Sequence, residues 1–324
     1  MSVLGAAYAR AARVRRAWYE AHPQAVRSLS HAVVSVGNLS VGGSGKTPVV
    51  AALARLLRAR GERPAVLSRG YARRRTVAGV VVASDGTGPL APVEDTGDEP
   101  QMLARALPGV PVLVSPDRYL AGRLAERRFG CTVLILDDGF QHLTLGRETD
   151  MVIVTGSDLD DRVLPDGRLR EGLDALASAD CVLVPGERRD LDRVRALVDP
   201  VPAFGLTSRY GPLRAIDGGA ATTGPGAARV VAVAGIARPE RFFAALGQQG
   251  CTVVERIAFP DHHWFRRRDL ARVARAAREH DAGLVVTTEK DAARLPSGTG
   301  WAVLPMEAAI EPEDAFAAWL ADRI

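Results

Sequence analysis

Short runs of consecutive apolar residues alternate along this chain with longer stretches whose apolar positions recur every three to four residues. The first kind, at 31–37, 64–68, 79–83, 110–114, 131–137, 151–155, 180–184, 229–234, 252–258, 283–288 and 301–304, predicts strands. The second kind, at about 47–60, 98–107, 117–129, 187–197, 238–248, 267–280 and 311–323, predicts helices. Strands that are apolar without alternation have both faces covered, so their rotation with helices predicts α/β/α layers around mostly parallel sheets. The pattern lapses at 217–228, DGGAATTGPGAA, which carries almost no charge or periodicity and is followed by a fresh strand. A boundary at about 212–228 is expected, between a larger domain over 25–215 and a smaller one over 225–324.

Residues 1–24 follow a third pattern. At 100° per residue Leu4, Ala7, Tyr8, Ala11, Val14 and Trp18 share one face, while Arg10, Arg13, Arg16 and Glu20 share the other. Arg15 intrudes on the apolar face and would have to snorkel. The arginines interrupt what a signal peptide keeps apolar, and no run of 18 apolar residues exists to span a bilayer. Two readings stand: an amphipathic helix lying in a membrane interface, or a surface helix packed on its own domain.

Composition narrows the classes. The 324 residues are 47% hydrophobic and 25% charged, a profile that excludes disorder, collagen and coiled coil. Residues 1–30 hold five Arg and one Glu, which accounts for the whole formal charge of +4. A basic segment on a neutral body argues for one local contact with something anionic and against a nucleic-acid partner. Cys131, Cys181 and Cys251 each open an apolar run and read as small buried residues, suited to a reducing cytoplasm. Of the 42 basic residues only Lys46 and Lys290 are lysine. A compact ammonium differs from a planar guanidinium fork, so both positions invite a specific role.

Gly42-Gly43-Ser44-Gly45-Lys46-Thr47 follows a predicted strand and precedes a helical pattern. Glycines let backbone N–H groups wrap a phosphate chain, Lys46 can reach the β- and γ-phosphates, and Thr47 can ligate Mg²⁺. The strict P-loop glycine five residues before Gly45 is Ser40 here. Pro48 falls in the first helical turn, where a missing N–H costs little. A P-loop also needs an acidic strand end nearby. Asp137 and Asp138, closing VLILDD, supply it as candidate metal ligands, with Gln141 and His142 following beside the γ-phosphate.

The runs VGNLSVGGSGKTPVV, LSRGY, GDEPQML, DDGFQH, LREGLDAL, FPDHHWF and VVTTEKDA, in this order and covering nearly the whole chain, closely resemble the tetraacyldisaccharide 4′-kinase (lipid A 4′-kinase) family. The resemblance implies a P-loop NTPase-like fold and a monomeric, peripheral enzyme at the cytoplasmic face of the bacterial inner membrane. Its implied reaction moves the γ-phosphoryl group of ATP, with Mg²⁺, to the 4′-hydroxyl of a tetraacylated glucosamine disaccharide 1-phosphate. The family's loop also lacks the first glycine. Its LLPAGPLRE appears here as VLPDGRLRE, with Asp166 and Arg168 as departures, while Arg170 and Glu171 match.

Transfer to an alcohol needs charge neutralisation and a base for the hydroxyl proton. By pattern Asp98 is equally the N-cap of a helix starting near Pro100; the resemblance makes it the base, paired with a histidine of DHH that is assigned to His262 over His263. By pattern alone, Asp261 caps the following helix and both histidines fill the surface. Glu99, Arg69, Arg118, Arg170 and Glu171 complete the expected substrate-contacting set, the arginines as phosphate clamps. Lys290 is expected to line the cleft, and Arg73-Arg74-Arg75 to be a solvated cluster. A P-loop kinase for a soluble metabolite and a nucleotide switch are the alternatives.

Overall fold

The structure is a computed structural model that describes residues 2–43, 45–216, 228–296 and 298–324. Ser44 and the expected inter-domain stretch at 217–227 lie outside the described residues.

The large sheet contains β1 (Ala32–Asn38), β2 (Pro64–Ser68), β3 (Val81–Ser84), β4 (Val112–Val114), β5 (Val133–Asp137), β6 (Thr149–Ile153), β7 (Cys181–Pro185) and β8 (Ala203–Tyr210). The small sheet contains β9 (Arg214–Ala215), β10 (Arg229–Ala234), β11 (Thr252–Ala258), β12 (Leu284–Thr288) and β13 (Ala302–Leu304), in the order β11-β10-β12-β13-β9. A last strand, β14 (Met306–Glu311), pairs antiparallel with β8, giving the large sheet the order β14-β8-β7-β6-β1-β5-β2-β4-β3. Only β3, β9 and β14 run antiparallel to their neighbours. The central strands are buried on both faces because helices cover both sides, as continuous apolar runs require.

Return of the chain to the large sheet corrects the expected domain over 225–324. Residues 306–324 belong with the first domain: α10 (Glu313–Ala321) buries Phe316 and Leu320, and Phe316 meets Phe204 of β8 edge-on at 5.4 Å. Burying each such side chain stabilises by roughly 1.5–3 kcal/mol, which outweighs sequence proximity to the small domain. Strands β8 and β14 escape the apolar-run pattern because each mixes polar and small residues and the pair forms a half-exposed edge.

Helix α1 (Val3–Ala21) docks through Gly5, Ala9 and Arg16. Arg16, expected on the polar outer face, is buried: Nε and Nη2 donate to Glu171 at 2.9 and 2.8 Å, and its guanidinium lies 4.2 Å from the Phe140 ring. Arg15 does not snorkel outward but donates to the Gln141 carbonyl. The apolar stripe stays outside, with Leu4 70%, Val14 60% and Trp18 47% exposed. Asp166, one of the departures from the family motif, accepts from the Ser2 backbone and hydroxyl, while Arg168 pairs with Asp161. Among the described residues no helix is long and apolar enough to cross a membrane.

The remaining helices are α2 (Lys46–Ala59), α3 (Val93–Thr96), α4 (Asp98–Ala106), α5 (Arg118–Phe129), α6 (Arg188–Val198), α7 (Pro239–Gln248), α8 (Arg267–Glu279) and α9 (Glu289–Ala292). The chain adds β2 to β5 on one side of β1 and β6 to β8 on the other, so strand order reverses beside β1. That switch point at the carboxyl ends of the strands is where open α/β sheets bind ligands.

Candidate active site

A cleft of about 780 Å³ opens there, between the carboxyl ends of β1, β2 and β5 and the facing side of the small domain. Gly42, Gly43, Gly45, Lys46 and Thr47 line it. Gly45 caps α2 with φ 84°, a left-handed backbone that favours glycine. Ser40 needs no such freedom. It is buried, keeps an ordinary backbone, and its carbonyl accepts from Asn38 Nδ2 at 2.7 Å, so the turn tolerates a side chain there.

Lys46 Nζ donates to Asn38 Oδ1 at 2.9 Å and lies 3.5 Å from Asp138. Arg170 grips both Asp138 oxygens at 3.0 and 2.9 Å and also donates to Asn38 Oδ1. Although burial opposes ionisation, these two cations hold the Asp138 carboxyl down to about 2. Asp137 next to it is the reverse: burial, then the charges of Glu99 and Asp138, push it up to about 7. Its Oδ2 takes a long bond from Ser68 at 3.4 Å and its Oδ1 is buried with no partner. A buried carboxylate oxygen with a spare lone pair and no cation, beside the Thr47 hydroxyl, is the donor set a magnesium ion takes.

At the other end of the cleft Asp98 begins α4, with Gly97 as the N-cap, so the capping role goes to Gly97. Gly97 has φ 89°, and a Cβ there would meet the Tyr71 carbonyl at 2.7 Å. Asp98 is buried behind the wall; its Oδ2 lies 2.9 Å from His262 Nδ1 and 3.0 Å from Arg294 Nη1. Burial raises the Asp98 pKa, but the His262 bond and the Lys290 and Arg294 charges bring it below its ordinary value. His262 lines the cleft with φ 58°. Asp138 shares that value, so both ends hold a non-glycine residue in the left-handed region, where strain tends to mark function. His263 turns away to Asp269 and stacks on Phe259. Asp261 does not cap α8, whose N-cap is Arg266; it faces Lys290 instead.

Arg69, Glu99 and Arg170 line the cleft, whereas Gln141, His142, Arg118 and Glu171 lie outside its wall. Gln141 donates to the Asn38 carbonyl, and burial, with Arg118 and Arg147 nearby, lowers the His142 pKa to about 4. Burial and the Arg69 charge bring Arg118 down to about 10. Glu171 anchors α1 through Arg16. The three cysteines are buried and free.

Arg294 is a site residue that sequence reasoning missed, and it sits among many arginines with no motif to mark it. Its side chain is 1% exposed and also pairs with Asp291, which accepts from the Gly235 amide at 2.9 Å. Arg74, expected to be solvated, lies 4.1 Å from the Trp264 ring and so bridges the two domains.

Comparison with known proteins follows this geometry. A family model described as "Tetraacyldisaccharide-1-P 4'-kinase" matches residues 1–324. A tetraacyldisaccharide 4′-kinase of Anaeromyxobacter dehalogenans strain 2CP-C is 42% identical over 296 residues, covering 88% of this chain and 78% of its own. One from Syntrophus aciditrophicus is 40% identical over 310 residues, covering 88% and 82%. The crystal structure of LpxK from Aquifex aeolicus in complex with ATP superimposes with a TM-score of 0.81 at 30% identity, over 98% of this chain and 96% of that one.

Proposed function

The chain belongs to the tetraacyldisaccharide 4′-kinase family, and from that premise we propose how its cleft carries out the transfer. The protein is an ATP-dependent phosphotransferase with an alcohol acceptor, acting on a lipid disaccharide of lipid A biosynthesis. The acceptor is the 4′-hydroxyl of a tetraacylated glucosamine disaccharide 1-phosphate. One observation carries this reading: a P-loop lysine with two strand-end carboxylates and a carboxylate–imidazole pair share one cleft.

The loop amides of Gly42 to Gly45 and the N-terminus of α2 receive the triphosphate. Lys46, held by Asn38 and Asp138 without nucleotide, turns its ammonium to the β- and γ-phosphates. Asp137 and Thr47 would hold magnesium, which neutralises charge on the transferring group. Arg170 fixes Asp138 and keeps it ionised near Lys46. Arg69, in the cleft wall without an ion-pair partner among the described residues, clamps an anionic group of a substrate. Asp98, kept ionised and oriented by His262 and Arg294, accepts the hydroxyl proton as the oxygen attacks.

The acylated acceptor stays in a bilayer, so the enzyme meets it as a monomer at the cytoplasmic face of the inner membrane. Its exposed stripe of Leu4, Tyr8, Val14 and Trp18 lies in the interface, and the basic residues beside it favour anionic headgroups. Incubation with γ-labelled ATP and the acylated disaccharide puts label on the lipid. Free phosphate released at a rate indifferent to lipid would instead indicate a nucleotide switch.

A further inference from the structure

The two lysines of this arginine-rich chain face the same cleft from opposite sides, Lys46 from the large domain and Lys290 from the small one. Phosphate chemistry explains the first. The second lies at the start of α9, and its Nζ is 3.3 Å from each of three acceptors: Glu99 Oε1 across the cleft, Asp261 Oδ1 and His262 Nε2. An ammonium has three donors in a tetrahedral array and no acceptor. Three donors meet three acceptors, a match that a planar guanidinium fork on a longer stem does not reproduce.

The contact dictates which nitrogen of His262 carries the proton. Lys290 can only donate, so Nε2 must accept with its lone pair; Asp98, an ionised carboxylate, can only accept, so Nδ1 must donate at 2.9 Å. Both neighbours independently select the neutral Nδ1–H tautomer. Asp261 Oδ2, 3.7 Å from Nε2, pulls the other way, since it would accept an Nε2 proton. Tyr71 meets the ring edge-on at 5.4 Å. Burial disfavours the Lys290 cation, but Glu99, Asp98 and Asp261 outweigh it and leave its pKa raised, so it remains a donor.

We propose that Lys290 is a positioning residue that fixes His262 as the Nδ1–H tautomer, so that the imidazole donates to Asp98 and the carboxylate stays oriented for the acceptor hydroxyl. It does so while tying Glu99 of α4 to the small domain. The inference rests on the Asp98–His262 reading given above, and deepens it.

The test uses ¹⁵N-histidine-labelled full-length protein without nucleotide or acceptor, with the His262 signals assigned through His262→Gln. The wild-type spectrum shows a protonated Nδ1 and a bare Nε2; in Lys290→Met, Nε2 gains a proton and turns to Asp261. A wild-type proton on Nε2, or an unchanged spectrum in Lys290→Met, overturns the proposal whether or not the kinase reading holds. In the transfer assay Lys290→Met and Lys290→Arg each lower kcat about ten- to a hundredfold while KM for ATP moves less than about threefold. Added ethylammonium restores part of the rate of Lys290→Ala. Full activity in Lys290→Arg, or loss without amine rescue, would leave Lys290 a mere brace of the fold and would overturn the assignment.

Discussion

At the nucleotide end of the cleft Asn38, Lys46, Asp137 and Asp138 all come from the ends of β1 and β5 or the turn after β1, strands that lie side by side in one sheet. At the acceptor end Asp98 on α4 meets His262, 164 residues later and in the other domain, and Arg294 and Lys290 arrive from that domain too. The first end is therefore complete within one domain, and the second exists only when both are apposed. The contrast suits a kinase, because triphosphate can be gripped first while the proton acceptor assembles as the domains meet around the alcohol.

Removing Lys46 strikes the end on which everything else depends and has the largest effect. Lys46→Ala should lower kcat/KM by about 10⁴-fold and weaken ATP binding, measurable by titration calorimetry beside the transfer assay. Next come Asp98→Asn and His262→Ala, which should each cost about 10²–10³-fold in kcat with ATP affinity within about threefold of wild type. Comparable losses of ATP binding in both groups would abolish the distinction between the two ends.

Arg294→Met sharpens it further. The variant strands the carboxylates of Asp98 and Asp291 in a site where the guanidinium is 1% exposed, so urea unfolding should show a loss of about 3 kcal/mol. The remaining folded protein should still bind ATP.

The smallest effect concerns the nucleotide end alone and depends on pH. Asp137 is raised from 3.8 to about 7 in the folded chain. Its folded value exceeds its unfolded one, so the contribution to stability is full below 3.8 and disappears as pH rises through 7. In metal-free, nucleotide-free protein Asp137→Asn, which cannot ionise, should match wild type near pH 4 and exceed it by on the order of 1–2 kcal/mol at pH 8. Asp138 has the opposite sign. Held down to about 2, it adds stability above its ordinary range and loses it as pH falls through 2.

The same contrast explains what was legible in the sequence. The nucleotide end is written locally: strand, glycine turn, lysine, helix, then a second strand closing in two aspartates. Apolar runs likewise predict β1, β2, β5, β10 and β12, because buried parallel strands have no polar face to blur the signal. The acceptor end is written nowhere locally. Asp98 and His262 came together only through family resemblance, while Arg294 had no signal at all. The return of β14 and α10 to the large sheet was hidden for a related reason, since edge pairing uses backbone groups that every residue carries. Helix α1 was predicted as amphipathic, but the face it buries is chosen by Arg16 reaching Glu171, a contact between residues 155 apart.

A rapid-quench experiment with γ-labelled ATP, saturating in wild type and in Asp98→Asn, and the acylated disaccharide in mixed micelles tests the account most directly. Label should appear on the 4′-oxygen in the wild type, and Asp98→Asn, with its nucleotide site filled, should transfer it about 10²-fold more slowly or worse. Equal rates of label transfer in the two proteins, or label found only as free phosphate, would contradict it.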